Sequence, residues 1–268
     1  MSTLARTAMH ELTLPIPLVM LPGLGADGQL FAEQRKAFGD DAIVVPDWLP
    51  PHEDEPLHLY AKRFAEQLGP SLPTKYALAG VSFGGMLAQE MLRHLEPKPA
   101  SLLLVSSART SDAVPTIGGL MATLGAASPL GAMKAFHTLA SVPFAKLNDG
   151  DDQTVSIFMA MAKTCDPAFF KWSLQRVAAW EGPPPELEGL GVPVRSIHGR
   201  KDPVLRCISE LTDTVVAEGK HLISLTHHKS VNRFLFEQVL AVCPEAQIDY
   251  PAIEGPDQTV ARRAMLTG

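Results

Sequence analysis

Residues 76–95 run from an apolar stretch, Tyr76-Ala77-Leu78-Ala79, through Gly80-Val81-Ser82-Phe83-Gly84-Gly85 into a segment of helical period over 86–95. A strand that passes directly into a helix must reverse sharply. Side chains two positions either side of the turn would collide where the helix folds back against the strand. Glycine at 80 and 84 removes both of them. Chance alone yields this G-x-S-x-G spacing in roughly one chain in ten of this length. The weight therefore rests on the strand before it and the amphipathic helix after it, and both are present.

The same alternation extends on both sides. Residues 17–21, 42–45, 76–79 and 101–105 read as short buried strands, and residues 29–38, 57–68 and 86–95 as helices between or after them. Strands that are apolar throughout suit a parallel sheet covered on both faces. From about Thr110 to Pro185 the alternation stops. The segment becomes rich in Ala, Gly, Met and aromatics at helical spacing, as in Val155, Phe158, Met159 and Ala162, and Pro183-Pro184-Pro185 punctuates its exit. Strand character resumes at 192–197 and 214–216, and a last helix is predicted over 230–242. The expected organisation is a core of residues 1–109 and 186–268 interrupted by a helical insertion at 110–185. The tail from Pro244 onward has weak periodicity and receives no role.

Composition narrows the partners. With 23 basic and 29 acidic residues the net charge is −6, and no basic run exceeds Arg262-Arg263, so nothing marks a nucleic-acid or anionic-membrane surface. No stretch approaches the ~20 apolar residues of a membrane span. The first apolar run carries Pro15 and Pro17 and no cleavage site, so a soluble cytoplasmic protein is expected. Cys165, Cys207 and Cys243 are odd in number and widely spaced, which argues against a disulfide framework or zinc site and for buried thiols. No metal is expected.

A serine hydroxyl attacks only when a base takes its proton, and that base needs a third group to fix its tautomer. Asp202, in the loop His198-Gly199-Arg200-Lys201-Asp202-Pro203, and His221, after Gly219, follow Ser82 in the order this arrangement requires. Asp112 is the rival acid, and His227 and His228 are rival bases read as exposed residues at the start of the last helix. His198 is read as supporting or packing. The oxyanion formed by attack needs two backbone donors. Phe83 N–H, after the nucleophile, and Leu24 N–H, in the glycine loop Pro22-Gly23-Leu24-Gly25, are expected to supply them. Gly23-Leu24-Gly25-Ala26-Asp27-Gly28 also fits G-x-G-x-x-G, with Asp47 about 20 residues on. A dinucleotide site, however, leaves Ser82, Asp202 and His221 without a purpose.

On these residues, Leu21-Pro22-Gly23-Leu24-Gly25, Gly80-Val81-Ser82-Phe83-Gly84-Gly85, Ile197-His198-Gly199-Arg200-Lys201-Asp202-Pro203-Val204 and Gly219-Lys220-His221-Leu222, the chain resembles the α/β-hydrolase superfamily. The resemblance implies a mostly parallel eight-stranded sheet with helices on both faces, an inserted helical lid and catalysis without a cofactor. Pro22 stands where the superfamily often has histidine. The 19 positions between Asp202 and His221 are few, implying that the helix between the last two strands is reduced to a turn. A serine nucleophile counts against the haloalkane dehalogenase and epoxide hydrolase branches.

The expected activity is hydrolysis of a small carboxylic ester or thioester with an apolar acyl or alkyl portion, through an acyl-enzyme on Ser82. Phe136, Phe158, Met159 and Trp172 of the insertion are the candidate substrate-binding residues, since ligand pockets are mostly apolar. The same residues would serve carbon–carbon bond hydrolysis, cofactor-free perhydrolysis, or a receptor that binds a small molecule without turnover.

Overall fold

Leu18 and Met20 of strand β1 (Leu18–Leu21) pack into one layer of the core while Val19 and Leu21 pack into the other, and all four are buried. The division repeats in β3 (Ala77–Val81), where Ala77, Ala79 and Val81 face one layer and Leu78 the other. In β4 (Leu102–Val105) Leu103 and Val105 oppose Leu102 and Leu104. Side chains alternate along a strand, so strands apolar at every position require cover on both faces. Helices α1 (Ala32–Phe38) and α8 (His228–Ala241) supply it on one side through Phe38, Phe234, Leu235 and Val239. Helices α2 (Leu57–Leu68) and α3 (Phe83–Met91) supply it on the other through Tyr60, Phe64, Met86 and Leu87.

The structure, a computed structural model, describes residues 12–115, 129–245 and 260–262. Its sheet has the order β2-β1-β3-β4-β5-β6-β7, with β2 at Ile43–Val44, β5 at Val194–Gly199, β6 at Thr214–Val216 and β7 at Val260–Arg262. The first six strands are parallel, and β7 pairs antiparallel with β6. The sheet is thus mostly parallel as expected, but among the described residues it has seven strands and not eight. Ahead of β1, residues 12–17 are irregular, and Pro15 and Pro17 lack the N–H that a ladder needs. β7 lies in the tail after Pro244, where the sequence has only weak periodicity.

Other boundaries move for local reasons. α3 begins at Phe83, three residues earlier than the periodicity predicts, because Gly84 and Gly85 lie inside its first turn. Residues 28–31 form a 3-10 turn and not the first turn of α1; Asp27 caps it, its Oδ1 accepting the Gln29 N–H at 2.9 Å. Between β5 and β6 there is only a 3-10 turn, Ser209–Leu211.

Between β4 and β5 the described residues form three further α-helices, α4 (Leu130–Leu147), α5 (Asp152–Thr164) and α6 (Pro167–Ala178). Asp151 caps α5, accepting from Thr154 N–H at 2.8 Å, and Asp166 caps α6, accepting from Ala168 N–H at 2.8 Å ahead of Pro167. α6 is seated on the second layer: Trp172 donates its indole N–H to the Glu55 carbonyl at 2.7 Å and lies 4.4 Å from the ring of Tyr60. A short helix α7 (Ile223–Thr226) precedes α8.

Candidate active site

Ser82 sits between β3 and α3 with φ +52° and ψ −119°, a conformation that side-chain-bearing residues rarely adopt. Its surroundings hold it there. Ser82 N–H donates to the Val105 carbonyl at 3.0 Å, and its own carbonyl accepts from Ser107 Oγ at 2.7 Å and Gly85 N–H at 3.0 Å. The glycines are required by contact: a Cβ on Gly84 would overlap the carbonyl oxygens of Leu21 and Pro22. Strain of this kind persists only where neighbours over-determine the backbone, and it places the hydroxyl at the carboxyl edge of the sheet.

Two loops at the same edge complete the arrangement. Asp202 follows β5 with its side chain fully buried; its Oδ1 accepts from Val204 N–H at 2.7 Å and Leu205 N–H at 3.0 Å. Its Oδ2 is 2.7 Å from His221 Nδ1, and His221 Nε2 is 3.0 Å from Ser82 Oγ. A carboxylate oxygen can only accept, so Nδ1 carries the proton and Nε2 is left to accept from the serine hydroxyl. His198 Nε2 lies 2.9 Å from the same Asp202 Oδ2 and 3.0 Å from the Leu205 carbonyl, both acceptors, so this nitrogen is an N–H donor. Burial opposes ionisation of Asp202, but the charge of His221 and the hydrogen bonds from His198 and His221 outweigh it. They hold the carboxyl well below the usual carboxylate range.

The sequence profile of the Alpha/beta hydrolase family matches residues 18–247, a span that contains all of these groups. The chain belongs to that family. Among solved structures, a thermophilic esterase from Thermogutta terrifontis is 16% identical with a TM-score of 0.68, covering 86% of this chain and 91% of that one. The esterase EaEST from Exiguobacterium antarcticum is 17% identical with a TM-score of 0.67, covering 85% and 93%. The N-acyl homoserine lactonase AidH is 16% identical with a TM-score of 0.60, covering 88% and 92%. At these identities the likeness is one of fold. Comparison with curated protein sequences found no match.

In this hydrolase the glycine loop after β1 runs alongside the serine: a Cβ on Gly23 would come within 3.5 Å of Ser82 Cβ. Leu24 is partly buried, Gly25 takes φ +71°, and Phe83 opens α3 with its ring fully buried. The loop leads into the 3-10 turn at 28–31 and not into a phosphate-facing helix, and Asp47 is exposed. Asp112 is exposed in a turn after β4. His227 and His228 are half-buried, contrary to the expected exposure, because each bonds locally: His227 Nδ1 to Thr226 Oγ1 and His228 Nδ1 to the Leu225 carbonyl, both at 3.0 Å. Of the three free thiols only Cys243 is buried; Cys165 and Cys207 are half-buried in loops.

The four insertion residues proposed from sequence separate. Trp172 is buried but committed to Glu55 and Tyr60. Phe158 is half-buried and packs on Phe144, 5.6 Å between centroids, and Phe144 lies edge-on to the His221 ring at 6.2 Å. Phe136 and Met159 are 41% and 38% exposed. α4 turns Met133, Ser141 and Ala145 inward, and Phe136 falls off that stripe. The residue that takes its place is His137. Its ring stacks on Phe170 at 4.3 Å and stands against Gly25, where an added Cβ would come within 2.6 Å of Nε2. Burial lowers the pKa of His137. A cavity of about 250 Å³ opens beside the glycine loop, bounded by Gly25, Ala26, Trp48, Met161 and Phe169. Among the described residues no three His, Cys, Asp or Glu side chains converge to hold a metal ion, and no helix is long and apolar enough to cross a membrane.

Proposed function

We propose that this hydrolase cleaves a carboxylic ester or thioester with an apolar acyl or alkyl portion through an acyl-enzyme on Ser82. The observation that carries the reading is the continuous hydrogen-bonded chain from Ser82 Oγ to His221 at 3.0 Å and from His221 to buried Asp202 at 2.7 Å. His221 Nε2 takes the Ser82 proton as Oγ attacks the carbonyl carbon, and returns it to the leaving alcohol or thiol. Asp202 keeps the imidazole in the tautomer that can accept and stabilises the imidazolium once formed. The negative charge on the substrate oxygen falls between Leu24 N–H and Phe83 N–H, the two donors of the oxyanion hole. Water, activated by the same histidine, then releases the acid. Helices α4 to α6 act as the lid over this edge of the sheet, and the aromatic rings of Phe144, Phe158 and Phe170 give it an apolar lining.

That several structurally similar proteins carry the name esterase supports the ester reading, and the lactonase name of AidH is a reason to include lactones in the substrate panel. The test is labelling with a fluorophosphonate, which reacts with a serine activated by a base and oxyanion donors, followed by peptide mapping. A stoichiometric adduct on Ser82, absent in Ser82→Ala, supports the mechanism. An unlabelled, folded protein that binds ligands without turnover would point to a receptor instead. A panel of esters, thioesters, lactones and diketones then defines the bond cleaved.

A further inference from the structure

His221 reaches Ser82 from a loop that is held from behind by the inserted helices. Asn148, the first residue after α4, is fully buried. Its Oδ1 accepts the His221 backbone N–H at 2.9 Å, while its Nδ2 donates to the Phe144 carbonyl at 2.9 Å. Its neighbours bond to the neighbour of His221: Lys220 Nζ donates to the Leu147 carbonyl at 2.9 Å and pairs with Asp149 Oδ1 at 2.8 Å. The end of α4 is shaped for these contacts. Asp149 takes φ +60° and Gly150 N–H returns to the Ala145 carbonyl at 2.8 Å, which turns the chain so that Leu147, Asn148 and Asp149 all face the histidine loop. Phe144, one turn earlier, meets the imidazole edge-on.

A buried amide is costly unless its polar atoms are partnered, and an apolar side chain would fill the same space without that cost. Here the amide's acceptor goes to the backbone of the very residue that bonds Ser82. We infer that Asn148 is a positioning residue for His221, with Lys220 as a second tie, so that the end of α4 belongs to the apparatus that places the base. The inference rests on the reading of Ser82 and His221 as nucleophile and base. It carries a consequence for the lid: at this end the insertion cannot swing away without releasing the histidine, and substrate has to enter past another part of it.

The experiment is the second-order rate of fluorophosphonate labelling at Ser82, followed over pH, in the full chain and in Asn148→Ala, Asn148→Asp, Lys220→Met and Ser82→Ala. Asn148→Ala is expected to keep its circular dichroism and to label about 10- to 100-fold more slowly, the loss that a displaced catalytic group typically brings. Asn148→Asp keeps the acceptor for the His221 N–H but loses the donor to the Phe144 carbonyl, so it should recover the rate only in part. Its added negative charge favours the imidazolium, so the acid limb of its profile should move to higher pH. A merely structural asparagine would give lower thermal stability with an unchanged rate per folded molecule and an unshifted profile, and that result overturns the inference. Should Asn148→Ala fail to fold, Lys220→Met decides: a slower rate supports the tie, and a wild-type rate with a wild-type profile overturns it. Labelling that persists in Ser82→Ala overturns the catalytic reading itself, and this inference with it. Labelling lost in Ser82→Ala but unaffected in Asn148→Ala overturns this inference alone.

Discussion

His198 Nε2 donates to Asp202 Oδ2 at 2.9 Å, the oxygen that also receives His221 Nδ1 at 2.7 Å. One carboxylate oxygen therefore carries two imidazoles, and His198 fixes the direction from which Asp202 addresses His221. Replacing His198 with Phe keeps the ring volume but removes that donor and leaves the buried Leu205 carbonyl short of a partner. The expected cost is about 1–3 kcal/mol in urea unfolding, with a roughly tenfold loss in kcat as Asp202 gains freedom. Unchanged kinetics in His198→Phe would show that the backbone N–H groups of Val204 and Leu205 suffice to orient the acid.

Asp202 also predicts the acid sensitivity of the fold. Its folded pKa lies below the unfolded value of about 3.9. The stability it lends is therefore present above that value and is lost as pH falls through it toward the depressed folded pKa. Between about pH 5 and about pH 2.5, the urea midpoint of the native protein should fall more steeply than that of Asp202→Asn. Parallel curves would sink the linkage. In the same variant kcat should drop by about 10³–10⁴, since an amide can hold the imidazole in the wrong tautomer.

The backbone of Ser82 offers a test that separates strain from chemistry. Both Ser82→Ala and Ser82→Gly remove the hydroxyl and should be inactive. Only glycine accepts φ +52° without penalty. Ser82→Gly should therefore be about 1 kcal/mol more stable than Ser82→Ala by urea unfolding. Equal stabilities would mean that the turn stores no strain at this position.

Gly84 and Gly189 make a matched pair for the role of close approach. A Cβ at 84 would overlap two carbonyl oxygens of the loop after β1, whereas a Cβ at 189 meets nothing within 4 Å. Gly84→Ala should lose several kcal/mol, about 3 or more, or fail to accumulate as folded protein, while Gly189→Ala should stay within about 0.5 kcal/mol of the native chain. Thermal melts of the two variants side by side check both halves.

The serine turn was readable from sequence because its physics is local: no residue but glycine satisfies positions 80 and 84 once a strand runs straight into a helix. Asp202 and His221 were readable from their order and from the strands that end before them. Their tie through Asn148 was not, since it joins residues 73 positions apart and an asparagine after an Ala-rich helix carries no pattern of its own. The same helix hid its inward face. Apolar residues surround α4, so Phe136 and His137 could not be ranked until packing showed which of the two meets Gly25. The half-burial of His227 and His228 follows from bonds within one turn of the chain that composition does not express. Strand β7 leaves no signal in the sequence because three residues are too few to set a period, and its place depends entirely on β6.

That dependence runs the other way as well. Thr214, Val215 and Val216 are paired on one side by β5 and on the other by Val260–Arg262. If the chain stopped at residue 245, the outer backbone groups of β6 would be left as an open template, the kind of edge that recruits a strand from another molecule. The short segment at 260–262 covers that edge, and a chain shortened before it is expected to lose solubility before it loses the geometry that joins Ser82, His221 and Asp202.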